Sequence, residues 1–228
     1  MKHAFLTISL FALVANTLLF GGMPQVNQPQ TEVGRSMSLE NRAMPGSFMN
    51  EVMKDNILLT LSYMRGMPVS ATPDWETVRR PFDFSFELKP GETYTFQRDS
   101  LPEYKDSIAK TIDVNFAEQD GYKHDGYLIG DGVCHLASLI YWAAKDAGLK
   151  STAPTNHDFM AIPEIPREYG VSIYSMPGNP EANAQQNLYV KNNESNTIKL
   201  GFKYDGKKIE VRIISEKTAN SVLTQTII

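Results

Sequence analysis

The alternation of apolar and polar positions changes period several times along this chain, and each change marks an element. Met53, Ile57, Leu61 and Met64 recur at helical spacing, and Gly66 and Pro68 follow, so residues 50–65 read as a helix ending there. Phe82, Phe84, Phe86 and Leu88 alternate strictly with Asp83, Ser85 and Glu87, the pattern of a half-buried strand. Pro90-Gly91 predicts a turn, with Tyr94 and Phe96 continuing the alternation in a return strand. Residues 100–118 give no clear period beyond one short helix. From Gly130 to Gly148 the helical period returns, with Leu136, Leu139, Ile140, Ala143 and Ala147 on one stripe. Pro154, Pro163 and Pro166 then mark a loop-rich stretch. Val171 and Ile173, and Leu188 and Val190, predict short strands. Ile198–Tyr204 and Lys207–Ile214 flank Asp205-Gly206 and predict a hairpin with a type I′ turn. The fold class expected is α+β: a mainly antiparallel sheet packed on a central helix that begins at Cys134.

The N-terminus carries a different pattern. Lys2 and His3 precede an apolar run from Ala4 to Phe20, broken only by Thr7, Ser9, Asn16 and Thr17, with Gly21-Gly22 after it. This pattern predicts a signal peptide or signal anchor over residues 1–22, a membrane-associated helix that would place the rest outside the cytoplasm. The absence of an A-x-A cleavage site favours an anchor. Residues 23–48, rich in Pro, Gln, Asn, Ser and Met, read as a flexible tether. Residues 49–79 read as a helix and connecting segment, 80–215 as the main domain and 216–228 as a C-terminal tail.

Composition narrows the function classes. Among 228 residues, 42% are hydrophobic and 21% charged, which suits a globular fold, and the net charge of −4 comes without a basic stripe, which argues against nucleic acid as a partner. The single cysteine, Cys134, excludes an internal disulfide. No G-x-G-x-x-G, P-loop, H-E-x-x-H or G-x-S-x-G motif occurs, so no cofactor is implied. Cys134, His135, His157, Asp158, His124 and Asp125 are metal-ligand types, but their spacing fits no standard zinc pattern, and no metal site is assigned.

Cys134 is the residue with most chemical potential. In the first turn of a helix, open N–H groups and the helix dipole would favour a thiolate. On the helical wheel it lies off the aliphatic stripe, with Ser138 and Tyr141. His157 lies in the loop beyond the helix, and Asp158, Asn156 or Glu168 are available to orient it. Cys134, His157 and Asp158 are therefore candidate catalytic residues for thiol-dependent acyl transfer or amide hydrolysis on a peptide, with helix-start amides as an oxyanion site. A buried cysteine acting as a small hydrophobe is the competing expectation. The domain would then be a binding module, with Tyr141, Trp142, Phe159 and Tyr174 as candidate contacts.

Gly130-Asp131-Gly132-Val133-Cys134-His135-Leu136-Ala137 resembles the glycine-rich turn and helix start, G-G-G-[VL]-C-Q-[VL]-S, of the VanW-like family. Ala147-Gly148-Leu149, Asn156-His157-Asp158-Phe159, Gly170-Val171-Ser172-Ile173-Tyr174 and Leu188-Tyr189-Val190-Lys191-Asn192-Asn193 are similar to later blocks of that family, in the same order. Upstream, Phe84-Ser85-Phe86 and Lys89-Pro90-Gly91-Glu92 resemble its beginning. His135 and Ala137 stand where the family usually has Gln and Ser, and its Asp before the strand at Gly170 is not matched. The resemblance covers roughly residues 80–215. It implies a cell-envelope setting, where a peptidoglycan, peptide, glycan or protein partner is expected; membrane contact through residues 4–20 is expected separately, from the apolar N-terminal run. It does not imply a reaction.

Overall fold

The computed structural model describes residues 30–126 and 130–216. The expected signal or anchor helix over residues 1–22 and the tail from 217 onward lie outside them. Among the described residues, no helix is long and apolar enough to cross a membrane.

The described chain is α+β, with two four-stranded sheets rather than one. The first comprises β1 (Gln30–Ser38), β8 (Lys208–Glu216), β7 (Ile198–Tyr204) and β2 (Phe82–Leu88), in that order and wholly antiparallel. Ile198, Leu200, Phe202 and Tyr204 of β7 and Ile209, Val211 and Ile213 of β8 alternate into the core. Phe84 of β2 lies opposite Phe202 in the register and stacks on it at 5.2 Å, so the predicted aromatic alternation has its partner. The β7–β8 hairpin forms as expected, but not through a type I′ turn. Tyr204 pairs with Ile209, leaving a four-residue connection, and Asp205 does not take the positive φ a type I′ turn requires. The Asp205 carboxylate instead accepts the amides of Lys207 and Lys208, at 2.8 Å each.

The second sheet runs β4 (Ile108–Thr111), β3 (Thr93–Thr95), β6 (Tyr189–Lys191), β5 (Lys150–Thr152). The turn at Gly91 forms, but β3 does not return along β2. It pairs antiparallel with β6 and parallel with β4. Asn192 makes this change of sheet possible. Its buried side-chain amide donates to the Leu88 carbonyl at 2.8 Å, and its backbone exchanges hydrogen bonds with Gly91 and Glu92. Val171 and Ile173, expected in a strand, are buried and join no ladder.

Two helices fill the space between. α1 (Phe48–Met64) is capped by Ser47, whose side chain accepts the Asn50 amide, and is buried on every side from Asp55 to Met64. It is as central as α3 (Val133–Asp146), which packs against α1, β1, β8 and β5. The buried polar groups of α1 are matched. Asp55 takes Arg79 and Lys123, while Asn56 donates to the Lys123 and Asp131 carbonyls at 3.0 Å each. The shorter helices are α2 (Trp75–Val78) and α4 (Pro180–Gln185).

The described part of the expected tether is not a free spacer. Gln30–Ser38 is the edge strand β1, and beyond it Arg42 is buried, ion-paired with Glu164 and bonded to the Pro163 carbonyl. The segment 49–79 likewise belongs to the same core as the main domain. Ile57, Leu58, Leu59 and Leu61 of α1 are fully buried. At about 1.5–3 kcal/mol each, they account for as much free energy as the whole net stability of an ordinary domain. A fragment limited to residues 85–214 is therefore expected to remain unfolded, while residues 30–216 fold. Circular dichroism and amide dispersion distinguish the two, and cooperative unfolding of the shorter fragment would contradict this account.

Candidate functional site

The start of α3 is fixed from below. Asn56 holds the Asp131 carbonyl, and Gly132, the N-cap, has φ of +96° and lies against α1. A Cβ there would come within 2.6 Å of the Met53 carbonyl oxygen, so only glycine permits this approach. The first turn is tightened by bonds from the Val133 amide to the Gly130 carbonyl and from the His135 amide to the Gly132 carbonyl. Two of the amides expected to serve an oxyanion are therefore occupied.

Cys134 faces away from the aliphatic stripe, as the wheel indicates, and its sulfur is engaged by the backbone of Ile173. The Ile173 amide donates to it at 3.4 Å, and the thiol donates to the Ile173 carbonyl at 3.5 Å. One turn on, Ser138 Oγ accepts the Val171 amide at 2.8 Å and donates to the Cys134 carbonyl. Side chains of α3 thus take the place of a neighbouring strand for residues 171–173, which explains why that segment is extended without a ladder.

The burial of this sulfur reverses the expected electrostatics. Burial pushes the thiol up to about 11; the Ile173 amide opposes this, and the Asp131 carboxylate adds to it. Asp131 is itself pushed up to about 6, by burial and by the neighbouring Asp125 carboxylate. The thiolate-favouring effect of the helix start is overridden.

His157 is turned elsewhere. Its Nδ1 lies 3.1 Å from the Met160 carbonyl, its ring is 4.1 Å from that of Phe159, and its pKa is lowered by burial, with the Met160 bond and Asp158 opposing. Among the described residues no hydrogen bond joins it to Cys134. Asp158 does not orient the ring either: it is exposed, and its backbone carbonyl accepts Arg167. The imidazole beside His157 is that of His135, with ring centroids 6.2 Å apart. Gly170 lets this loop close down, since a Cβ would sit 2.9 Å from the His157 carbonyl oxygen. Among the described residues, no group of three or more His, Cys, Asp or Glu side chains could hold a metal ion. His124 makes an exposed pair with Glu118.

The four expected contact residues divide. Phe159 is 72% exposed and Tyr174 50%. Tyr141 and Trp142 are half-buried and pack on Tyr169, with Trp142 stacked at 5.9 Å and covered by Arg35. They hold the C-terminal half of α3 in place.

Other exposed apolar side chains lie on segments that lead to the same helix start. Among the described residues, eight large hydrophobic side chains stand exposed. Seven lie on three segments: Met44, Phe48 and Met49 before and within α1, Phe159 and Met160, and Tyr174 and Met176. Each segment is tied to the start of α3. The first leads into the α1 turn that meets Gly132, the second carries the His157 ring beside His135, and the third follows the bond between Ile173 and Cys134. Sequence reasoning missed the first segment because Met44 and Phe48 fell within the expected tether, residues 23–48, and Met49 at the start of the segment beyond it. The Met-Phe cluster there was the available signal.

Two measurements check this electrostatic picture. At pH 8 only about a thousandth of a thiol with a pKa near 11 is ionised, so alkylation of Cys134 should run about 100-fold slower than that of a free cysteine and rise towards pH 11. Rapid labelling at neutral pH would contradict it. Burial pushes His135 down to about 3, with the neighbouring Arg42 and His157 adding. The unfolded chain, with an ordinary imidazole, then binds the proton more readily than the folded one. The contribution of His135 to stability is complete above about pH 6.5 and is lost as pH falls from there towards 3. The melting temperature should drop over that range, and less steeply in His135→Gln; equal slopes would refute the assignment.

A profile of the family described as "VanW like protein" matches residues 85–214, more than half of the chain. Neither a curated protein nor a solved structure matches. The matched region runs from β2 to β8 and includes Gly132, Cys134, His157 and Asn192, whose roles are described above. The chain belongs to the VanW-like family.

Proposed function

We propose that this protein is an extracytoplasmic cell-envelope binding module, non-catalytic, that recognises peptidoglycan or an envelope peptide, glycan or protein through the apolar rim around the start of α3. The observation that carries this reading is that, among the described residues, seven of the eight exposed large hydrophobic side chains lie on three segments that lead to that point. Exposed apolar groups concentrated in this way are characteristic of interaction surfaces, and flexible Met beside rigid Phe and Tyr suits a contact that adapts.

The direction of the chain supports the same reading. β1 enters at Gln30, opposite Glu216, and its other end at Ser38 is tied to Glu164. Its nine residues span about 30 Å. The Met44, Phe48 and Phe159 segments adjoin the Ser38 end. Thiol-dependent acyl transfer is the weaker reading, because the sulfur is hydrogen-bonded, its pKa is raised and His157 is turned to Met160.

Co-sedimentation of the protein with purified peptidoglycan tests the proposal. Phe159→Ala and Tyr174→Ala should each weaken binding about 10-fold, in the range of aromatic contacts at interface centres, while Cys134→Ser leaves it intact. Binding unaffected by both aromatic substitutions, or turnover of stem peptides that Cys134→Ser abolishes, would overturn the reading.

A further inference from the structure

We propose that Met44, Met49, Met160 and Met176 form a modification site, oxidised to methionine sulfoxide by a peroxide, and that this oxidation switches off binding at the apolar rim. The inference rests on the reading of the rim as a binding surface and adds its regulation. Methionine is sorted sharply by exposure. Among the described residues, these four are 74%, 40%, 61% and 41% exposed, and they make up half of the eight exposed large hydrophobic side chains. Met37 and Met64 are buried, and Met53 and Met67 are half-buried. The exposure is built into the fold, because the backbone at these positions is tied down. The Met44 carbonyl accepts the Ser47 amide at 3.0 Å, and Met49 stands in the first turn of α1. The Met160 carbonyl lies 3.1 Å from His157 Nδ1. Asn183, itself buried, clamps Met176: its Oδ1 accepts the Met176 amide at 2.7 Å and its Nδ2 donates to the Met176 carbonyl at 3.1 Å.

The step is a two-electron oxidation. A thioether lone pair attacks one oxygen of hydrogen peroxide, the O–O bond breaks as the S–O bond forms, and the leaving hydroxide takes the proton of the transferred oxygen. The sulfur is oxidised, the peroxide is reduced to water, and no other reactant is consumed. The product is a polar, chiral side chain in place of a flexible apolar one, and methionine sulfoxide reductases reverse it. At the rim this change falls on the apolar contact itself, while the core is spared. The Met37 sulfur is buried and accepts the Arg42 guanidinium at 3.3 Å. Cys134, the other oxidisable type of sulfur, is engaged by the Ile173 amide and carbonyl. Within the rim the order of reaction follows access. Met44 and Met160 are the most open, whereas the Met176 sulfur accepts Asn179 Nδ2 at 3.7 Å, which occupies one of its lone pairs.

Limited treatment of the full chain with hydrogen peroxide, followed by peptide mass spectrometry, tests the inference. Met44 and Met160 should be oxidised about 10-fold faster than Met37 and Met64, with Met49 and Met176 between, while circular dichroism stays unchanged. The oxidised protein should co-sediment with peptidoglycan about 10-fold more weakly and bind less of the apolar dye anilinonaphthalene sulfonate. Methionine sulfoxide reductases with a dithiol should restore both. A variant carrying Met44→Leu, Met49→Leu, Met160→Leu and Met176→Leu should bind as the unaltered protein does and stay insensitive to peroxide, whereas Cys134→Ser should remain sensitive. Equal oxidation rates at rim and buried methionines, dye and peptidoglycan binding that oxidation leaves unchanged, or a four-Leu variant that peroxide still switches off would each overturn the inference. Failure of the unoxidised protein to bind peptidoglycan counts against the peptidoglycan reading instead, and the loss or retention of dye binding then decides the inference by itself.

Discussion

Two backbone amides have no strand to pair with, and much of the site follows from how they are satisfied. The segment around Val171 and Ile173 is buried and extended yet lies outside both sheets. An unpaired buried amide costs about 1–3 kcal/mol, so the segment can pack only if α3 supplies acceptors. Ser138 Oγ and Cys134 Sγ do so, one turn apart on the helix and two residues apart on the segment. The spacing works because one helical turn rises about 5.4 Å while two extended residues advance about 6.5 Å. A thiol used in this way is a structural acceptor, and its high pKa follows from the same burial.

A second constraint sets where that helix begins. Gly132 touches the backbone of α1, and Asn56 of α1 holds the Asp131 carbonyl. The most deeply buried helix therefore positions the first turn of α3, and through it the loops bearing His157 and Tyr174. The boundaries of the family match leave α1 and β1 outside, yet both share the core with the matched residues. The rim of exposed Met, Phe and Tyr side chains is consequently assembled from chain on either side of that boundary.

What could be read from the sequence follows from where periodicity carries information. α3, β2 and the β7–β8 hairpin bury one face or one stripe, and their residues repeat accordingly; α1, buried on every side beyond Asp55, still showed its helical spacing in Met53, Ile57, Leu61 and Met64. β1 escaped notice because its exposed edge reads Gln30-Thr31-Glu32-Val33-Gly34-Arg35, with little apolar alternation. β3 was recognised as a strand, but local alternation does not reveal which sheet a strand joins, and the buried Asn192 side chain decided that from almost 100 positions away. The orientation of Cys134 off the stripe was legible on the wheel. Its ionisation was not, because the helix-start argument contains no term for burial. Phe159 and Tyr174 are exposed as binding residues need to be, whereas Tyr141 and Trp142 are occupied by Tyr169, which was not visible as their neighbour. His135, one residue from the cysteine, was weighed only as a metal-ligand type and as a departure from the family's Gln; its burial was not legible, because the environment of an imidazole depends on what folds over it.

The central claim is that Cys134 acts as a backbone acceptor. Native-state hydrogen exchange at the Ile173 amide tests it most directly. The account predicts slow exchange in the unaltered protein and acceleration of at least 10-fold in Cys134→Ala, with amides of β7 unchanged. An Ile173 amide that exchanges equally fast in both proteins would show that the sulfur holds nothing there and would return it to the list of reactive groups.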